Sequence, residues 1–555
     1  MRMIAMKNRT CMMLLAAAAA ASLAATGCDR GRENIFSRAP VTLSPVTLND
    51  AMAIVSRTFE RVYVVSYDEA DRSPVVDSVR VGRDPTEAQA SADGTKLFVL
   101  CRGAVEGEVS RRDARPPSLQ VIDAGSLAVS SYTLPAPFTG MAESPGGRWL
   151  VAYFADPVAG ANPNLLAIVD LEQDPSQDNP VVLAIRSLGS SPLAIAFLEG
   201  IDVAVPDAGV VKKNLALVLS ESYVTLVDLD RPERTEISVR LAVPGLDQSV
   251  IPSAEDVLVI DDTGGLGSRV LLRSDNASDI FSMTFIGIAP EAPDGNDYSL
   301  SLNQLSVDIN PSAAPADMVL FEEEGKTLVL ATNRISGSIA VLDPETTMVT
   351  KILTDFPTDR IHVLEEGRSA LLYARGEEMA YFVTFDGILE MKEMNLEEFS
   401  FGGLLGTLIP VPGRDFAAFT LSGQSQNLFF LDLRTREMHQ VFLSGSADSA
   451  QFLVVPDGSA MMINPRNLRE VWFIDDLTSY TVTRVILDET VDSMALLEAS
   501  GTIVLDHGRS RYPEGYLTFL DADDPGRSGA VSLWGFIFDG VLSIDPDEYP
   551  LAQGD

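Results

Sequence analysis

With 555 residues, 46% of them apolar, the chain holds enough material for a substantial core, either in several domains or in one large array. Its 41 basic against 79 acidic residues leave a net charge of −38. Such a field repels polyphosphate backbones and anionic lipid, which excludes nucleic acid as an expected partner. Three cysteines are too few for a disulfide framework.

The chain opens on a basic segment, Arg2, Lys7 and Arg9, followed by an apolar, alanine-rich run from Cys11 to Ala25. The run is shorter than the roughly 20 residues that span a bilayer, so residues 1–27 read as a signal peptide. Ala25-Thr26-Gly27-Cys28 resembles a bacterial lipobox, in which the cysteine thiol receives a diacylglycerol and becomes the first residue of the mature protein. Leu23 departs from the pattern, which places its leucine three residues before the cysteine. The alternative is an ordinary secretory signal cleaved near Ala25, with Cys28 incidental. The lipobox reading predicts lipidation at Cys28, a tether over 28–50 containing Pro40 and Pro45, and a repeat domain over 51–555. It also predicts anchoring in the cell envelope, in the inner or the outer membrane. Loss of 1–27 removes three basic residues and takes the charge from −38 to −41. Cys101 closes the apolar run Leu97–Leu100 and reads as a buried, inert thiol.

From there one unit recurs. An apolar run closing on Asp is found at Asp68, Asp123, Asp170, Asp228, Asp343, Asp386, Asp432, Asp475 and Asp521; the last five are 43, 46, 43 and 46 residues apart. The segment 281–288, FSMTFIGI, fills the long gap after Asp228 as a copy without its Asp. A turn glycine precedes another apolar run at Gly94, Gly147, Gly325, Gly367, Gly413, Gly458 and Gly501, the last five 42, 46, 45 and 43 residues apart. Two independent markers on one period indicate a repeat architecture. Each unit holds four short strand candidates rich in Val, Leu, Ile, Phe and Thr, and helical periodicity is weak. In the clearest unit they are Met318 to Phe321, Leu328 to Ala331, Ile339 to Leu342 and Met348 to Leu353. The Asp has a local reason, because its side chain accepts hydrogen bonds from the backbone of the turn that follows.

The copies SPGGRWLVAYF from Ser144, KTLVLATN from Lys326 and SIAVLDPETTMV from Ser338 resemble the YVTN-type β-propeller repeats of the WD40-like superfamily. The resemblance runs from about Arg61 to the C-terminal region and departs over Val250 to Ala316, where an acidic loop, Pro290 to Tyr298, intrudes. It implies an all-β fold, a single toroidal β-propeller of eight to ten four-stranded blades. Nine full strand sets follow the first marker, so closure requires Val46 to Arg57 to supply the inner strands of a tenth, or the first pair to be peripheral.

Chemistry-bearing residues are sparse. His362, His439 and His507 share no metal-binding spacing, and no haem-attachment, nucleophile-elbow or phosphate-loop motif is present. No cofactor and no metal are therefore expected, and the acidic turns at 521–524 and 545–548 read as solvated. The less ordinary pattern is an arginine opening the turn after the second strand, at Arg102, Arg273, Arg334, Arg375, Arg466 and Arg509. Arg111, Arg112 and Arg115 lie in the first such loop and Arg511 in the last. On one face these would form a collar able to grip carboxylate or phosphate groups. The alternative is that each pairs with a neighbouring acid. The expectation is a lipid-anchored binding scaffold for an envelope protein, peptide or glycan. The competing reading is a hydrolase or lactonase-like enzyme using Arg102, Arg375, His507 and Arg509 at the axial mouth.

Overall fold

The structure is a computed structural model that describes residues 39–538, apart from 69, 105–113, 187–190, 206–208, 262–266, 290–294, 324, 365–366, 386–394, 425, 448, 457, 475–476, 478 and 523–529. The predicted signal peptide, Cys28, Arg111, Arg112, Asp386, Asp475 and the acidic turn 545–548 lie outside the described residues, as does part of 521–524. Among the described residues the chain forms forty strands and a three-residue helical turn at 536–538. The protein is all-β.

The strands group by fours, each group an antiparallel meander of consecutive strands. Eight groups are separate four-stranded sheets. The fourth and fifth, over Pro192–Arg240 and Pro252–Ser306, share one eight-stranded sheet through a parallel bridge between Ala204 and Ile286. The sixth group consists of Asp317–Glu323, Lys326–Asn333, Ser338–Asp343 and Met348–Leu353, which contain the four predicted segments. The first group begins with Val46–Thr47 and Ala51–Ser56, paired ahead of Arg61–Asp68 and Ser73–Arg80. These are the inner strands that the sequence required from 46–57, and they place residues assigned to the tether inside the first sheet.

Burial explains why the middle strands were the visible ones. Second and third strands are covered on both sides by neighbouring sheets, so Leu328–Ala331 and Ile339–Leu342 are buried throughout and read as unbroken apolar runs. The fourth strand, Met348–Leu353, alternates between half-buried and exposed positions. Ten apolar clusters knit successive groups together; Phe98, Leu119 and Leu150 join the second group to the third, and Phe321, Leu330 and Leu372 the sixth to the seventh. One cluster joins the last group to the first, with Leu497, Leu517 and Phe519 against Met52, Tyr63 and Val65. Tyr67 stacks on Phe519 there, ring centroids 5.5 Å apart. First strands also touch, Asp317–Glu323 against Arg360–Val363 and Ser493–Leu497 against Val46–Thr47.

Each group has two ends. At the upper end, as we define it, lie the turn between second and third strands and the link to the next group. At the lower end lie the other two turns. The lower turns carry both repeat markers. All seven marker glycines have positive φ, from 60° at Gly501 to 77° at Gly325, a backbone region that glycine enters without a Cβ clash. Asp343 Oδ1 accepts from the backbone N–H of Glu345 at 2.9 Å and Thr346 at 3.1 Å, and Asp432 Oδ1 from Arg434 at 2.9 Å and Thr435 at 2.8 Å. Four residues after the Asp, the backbone is left-handed at Arg72, Leu127, Thr347 and Arg436. Thr347, at φ 60°, is β-branched and the least suited of the four. Thr347→Gly is expected to raise stability by about 0.5–1 kcal/mol, read as a higher urea midpoint at unchanged slope. A lower midpoint would show that the threonine side chain contributes more than its backbone costs.

Candidate functional site

The arginines after the second strands are not distributed as a free collar. Arg334 Nη1 donates to Asp359 Oδ2 at 2.5 Å, and Nη2 reaches the Arg375 carbonyl at 3.3 Å, so the upper turn of the sixth group is tied to the seventh. Arg273 is buried and donates to Asp256, the Pro315 carbonyl and Ser253. Arg509 reaches across the junction of the chain's two ends to Thr42 Oγ1 at 3.0 Å and to the Leu43 carbonyl, with Asp506 at 3.5 Å. Burial lowers the Arg509 guanidinium from its ordinary value and raises the Asp506 carboxyl. Arg102 lies 3.9 Å from Asp84, which also accepts from Arg57 at 2.7 Å. Four of the six therefore face acids, three of them also clamping one group to the next or to the chain's start. Arg375 and Arg466 are exposed.

The histidine proposed for catalysis is enclosed. His507 is buried, with Nδ1 3.0 Å from the Thr490 carbonyl, Nε2 2.8 Å from Thr518 Oγ1 and its ring stacked on Tyr516. Burial lowers its pKa from the ordinary value. It directly follows Asp506, the last residue of a fully buried second strand. His362 is likewise lowered by burial. Cys101 is buried, and desolvation pushes its thiol up to about 12, the state of an unreactive sulfur. Among the described residues no three His, Cys, Asp or Glu side chains are grouped to hold a metal ion.

A different arginine cluster is built at the upper end of the first two groups. A cleft of about 390 Å³ is lined by Arg80, Arg83 and Arg115 together with Ser118, Gln120 and Ser131. Arg80 ends a fourth strand, Arg83 lies in the link to the second group, and Arg115 is held by paired backbone hydrogen bonds with Ala104. Packing thus assembles three arginines that span 35 residues of sequence. Glu60 is the acid among them, 3.7 Å from Arg83 and 4.0 Å from Arg80. The back wall is polar and fixed: buried Gln120 donates to Ser118 Oγ at 2.8 Å and Ser131 Oγ at 2.9 Å. Gly82 permits this wall, since a Cβ there would sit 2.7 Å from Ser118 Oγ and 2.9 Å from the Cys101 sulfur. With Arg57 and Arg102 beside it, the region gathers five arginines around Glu60 and Asp84 on a body of net charge −38. Guanidinium forks beside serine hydroxyls suit a carboxylate or phosphate group. Of these arginines, sequence reading had singled out only Arg102 and Arg115.

No family model matches the chain, and no curated protein matches it. Among solved structures, a eukaryotic initiation factor is 10% identical over 88% of this chain and 95% of its own, with a TM-score of 0.44. Dihydro-heme d1 dehydrogenase NirN in complex with DHE is 13% identical over 71% of this chain and 73% of its own, with a TM-score of 0.36. Apo AztD from Citrobacter koseri is 12% identical over 79% of this chain and 94% of its own, with a TM-score of 0.35. Likeness at this level assigns neither ligand nor activity to this chain.

Proposed function

We propose that the ten four-stranded groups are the blades of one closed β-propeller, and that the protein is an exported binding scaffold anchored through lipidated Cys28. The packing of the last group against the first, in the core and between first strands, supports closure. The partner is a protein, peptide or glycan that presents an anionic group to the arginine cleft between the first two blades. One observation carries this reading: Arg80, Arg83 and Arg115 converge on a polar wall in a chain that is otherwise strongly acidic. No observation favours the hydrolase alternative, because His507, its best general base, has both ring nitrogens hydrogen-bonded inside the fold.

The test uses a poly-glutamate peptide as probe, with a neutral peptide of equal length as control, in a fluorescence-anisotropy titration. Binding of the acidic peptide alone is expected, weakening with salt. Arg83→Glu with Arg115→Glu should weaken it about tenfold or more, as loss of charge-assisted contacts does. Arg466→Glu, on the ninth blade, should leave it unchanged. Equal loss from Arg466→Glu, or no preference for the acidic peptide, would overturn the reading.

A further inference from the structure

The two halves of the upper end differ at one register position, while Leu193, Ile251 and Ile309 are exposed elsewhere on the upper end of the first five blades. That position, one per blade, is the residue of the fourth strand opposite the start of the third. In the first five blades these residues are Arg80, Thr133, Ala184, Arg240 and Ser306. In the last five they are Leu353, Ser400, Phe442, Ile486 and Trp534. The four apolar ones are exposed at 74%, 75%, 73% and 60%. Ile335, in an upper turn of the same half, is exposed at 68%, and Leu404, in an upper link, at 52%. Scattered apolar residues are normal on a surface; the same register position repeated around half a rim is not scatter.

The place where the chain enters the fold tells what covers this rim. Residues 41–43 run beside the end of the second strand of the first blade. Thr42 bridges Ser56, and Arg57 N–H donates to the Val41 carbonyl at 2.8 Å. Arg509, in the upper turn of the tenth blade, holds Thr42 and Leu43. Ala39 therefore leaves the upper end near the junction of the tenth and first blades, beside Arg57 and Arg83. Cys28 lies eleven residues before it. Extended, those residues reach about 35–40 Å at most, so a lipid on Cys28 keeps this end close to the membrane.

We propose that the apolar half-rim, Leu353, Phe442, Ile486 and Trp534, rests on the surface of a lipid bilayer, which fixes the propeller's orientation. The inference rests on the anchoring of Cys28. Trp534 suits the boundary, with its ring stacked on Tyr516 and its N–H donated to Glu514 at 2.8 Å, an amphipathic side chain of the kind that sits at headgroup level. The acidic body disfavours anionic lipid, so the bilayer is a zwitterionic one.

The test uses the full chain processed in a bacterial host and reconstituted in phosphatidylcholine vesicles carrying brominated acyl chains. Trp149 and Trp472 are buried, so Trp534 is the tryptophan that bromine reaches. Quenching of about a third of the emission is expected, one tryptophan of three, and Trp534→Phe should remove it. Phe442→Asp with Ile486→Asp, both at exposed positions, should abolish the quenching while the protein stays on the vesicles. Intact mass separates the two readings. A lipid-bearing chain whose Trp534 is not quenched overturns the bilayer contact and leaves the anchor standing. A chain without lipid on Cys28 overturns the anchor, and the choice of a bilayer falls with it. A second polypeptide retained on the rim in detergent, with Trp534 unquenched in vesicles, assigns the surface to a protein and also overturns the proposal.

Discussion

Asp228→Ala is expected to destabilise the protein by about 3–5 kcal/mol, the cost of removing one partner from a buried ion network. Asp228 is almost wholly buried and lies 3.0 Å from Lys213 Nζ and 3.8 Å from Arg234. Asp297, from the acidic loop of the fifth group, completes the set, 3.0 Å from Lys213 and 2.7 Å from Arg234; the latter contact is an ion pair by distance but lies outside hydrogen-bonding geometry. Two cations and two anions balance. Without Asp228, Lys213 and Arg234 share one carboxylate in a site where both are buried. The turn also loses its acceptor for Asp230 and Arg231 N–H. Asp228→Asn separates the two effects, since its amide oxygen can still accept in the turn while the charge is gone. Denaturant midpoints give the size of each loss. Amide exchange in Tyr223–Asp228 and Tyr298–Ser306 should rise first, while the eighth and ninth groups stay protected. Burial alone would raise the Asp297 carboxyl, but the adjoining Arg234 and Lys213 cations outweigh it and hold the group below its ordinary range. Its contribution is thus present above the unfolded pKa and lost as pH falls through the lower folded one. Loss of stability no larger than that of an exposed ion pair would show that the network is open to solvent.

What the sequence disclosed was local. Gly325 and Asp343 are visible because each answers a need met within a few residues, a left-handed backbone in one turn and orphaned N–H groups in another. The second and third strands are visible because covering on both faces forces unbroken apolar runs. The fusion of the fourth and fifth groups was not visible. It depends on a hairpin of unusual length, Pro192–Val205 with Gly209–Ser220, whose outer half pairs with Ile286 far along the chain. The acidic loop that marked a break in the repeat supplies Asp297 as a partner for Lys213 and Arg234 in the preceding group.

The arginines illustrate the same limit. Their recurrence after second strands was legible, and it has a structural cause in Arg273, Arg334 and Arg509, which hold the next blade or the chain's start. The cleft was hidden because Arg80 and Arg83 belong to a fourth strand and a link, positions without a repeat signature. Only the packing of two blades brings them to Arg115. The apolar half-rim was hidden for the opposite reason. Its residues do repeat, but each alone is an ordinary apolar residue at a strand end.

Glu87→Gln is expected to stabilise the protein at pH 8 and to do little at pH 5. Glu87 lies in the first strand of the second group, Pro85–Ala90, with one carboxylate oxygen buried and lacking a hydrogen-bond partner. Burial, and then the charge of Asp156, push its pKa from the ordinary 4.5 up to about 7. The folded state therefore holds a proton that the unfolded chain releases at lower pH. This group's contribution is fully present below 4.5 and is lost as pH rises through about 7. Above that, the folded protein carries a charge it solvates poorly. Glutamine has the same shape without the charge, so the gain at pH 8 should be about 1–2 kcal/mol, allowing for solvent screening at a carboxyl that is only partly covered. Urea midpoints at the two pH values measure it; an equal shift at both would assign the effect to packing instead. Asp156→Asn removes the smaller of the two causes and should give a smaller gain with the same pH dependence. Glu87 stands on a first strand and the cleft arginines at the end of a fourth strand, in a link and in the turn after a second strand, so Glu87→Gln should leave acidic-peptide binding intact. A variant that gained stability at pH 8 and lost binding would show that the inner strand and the cleft act as one unit.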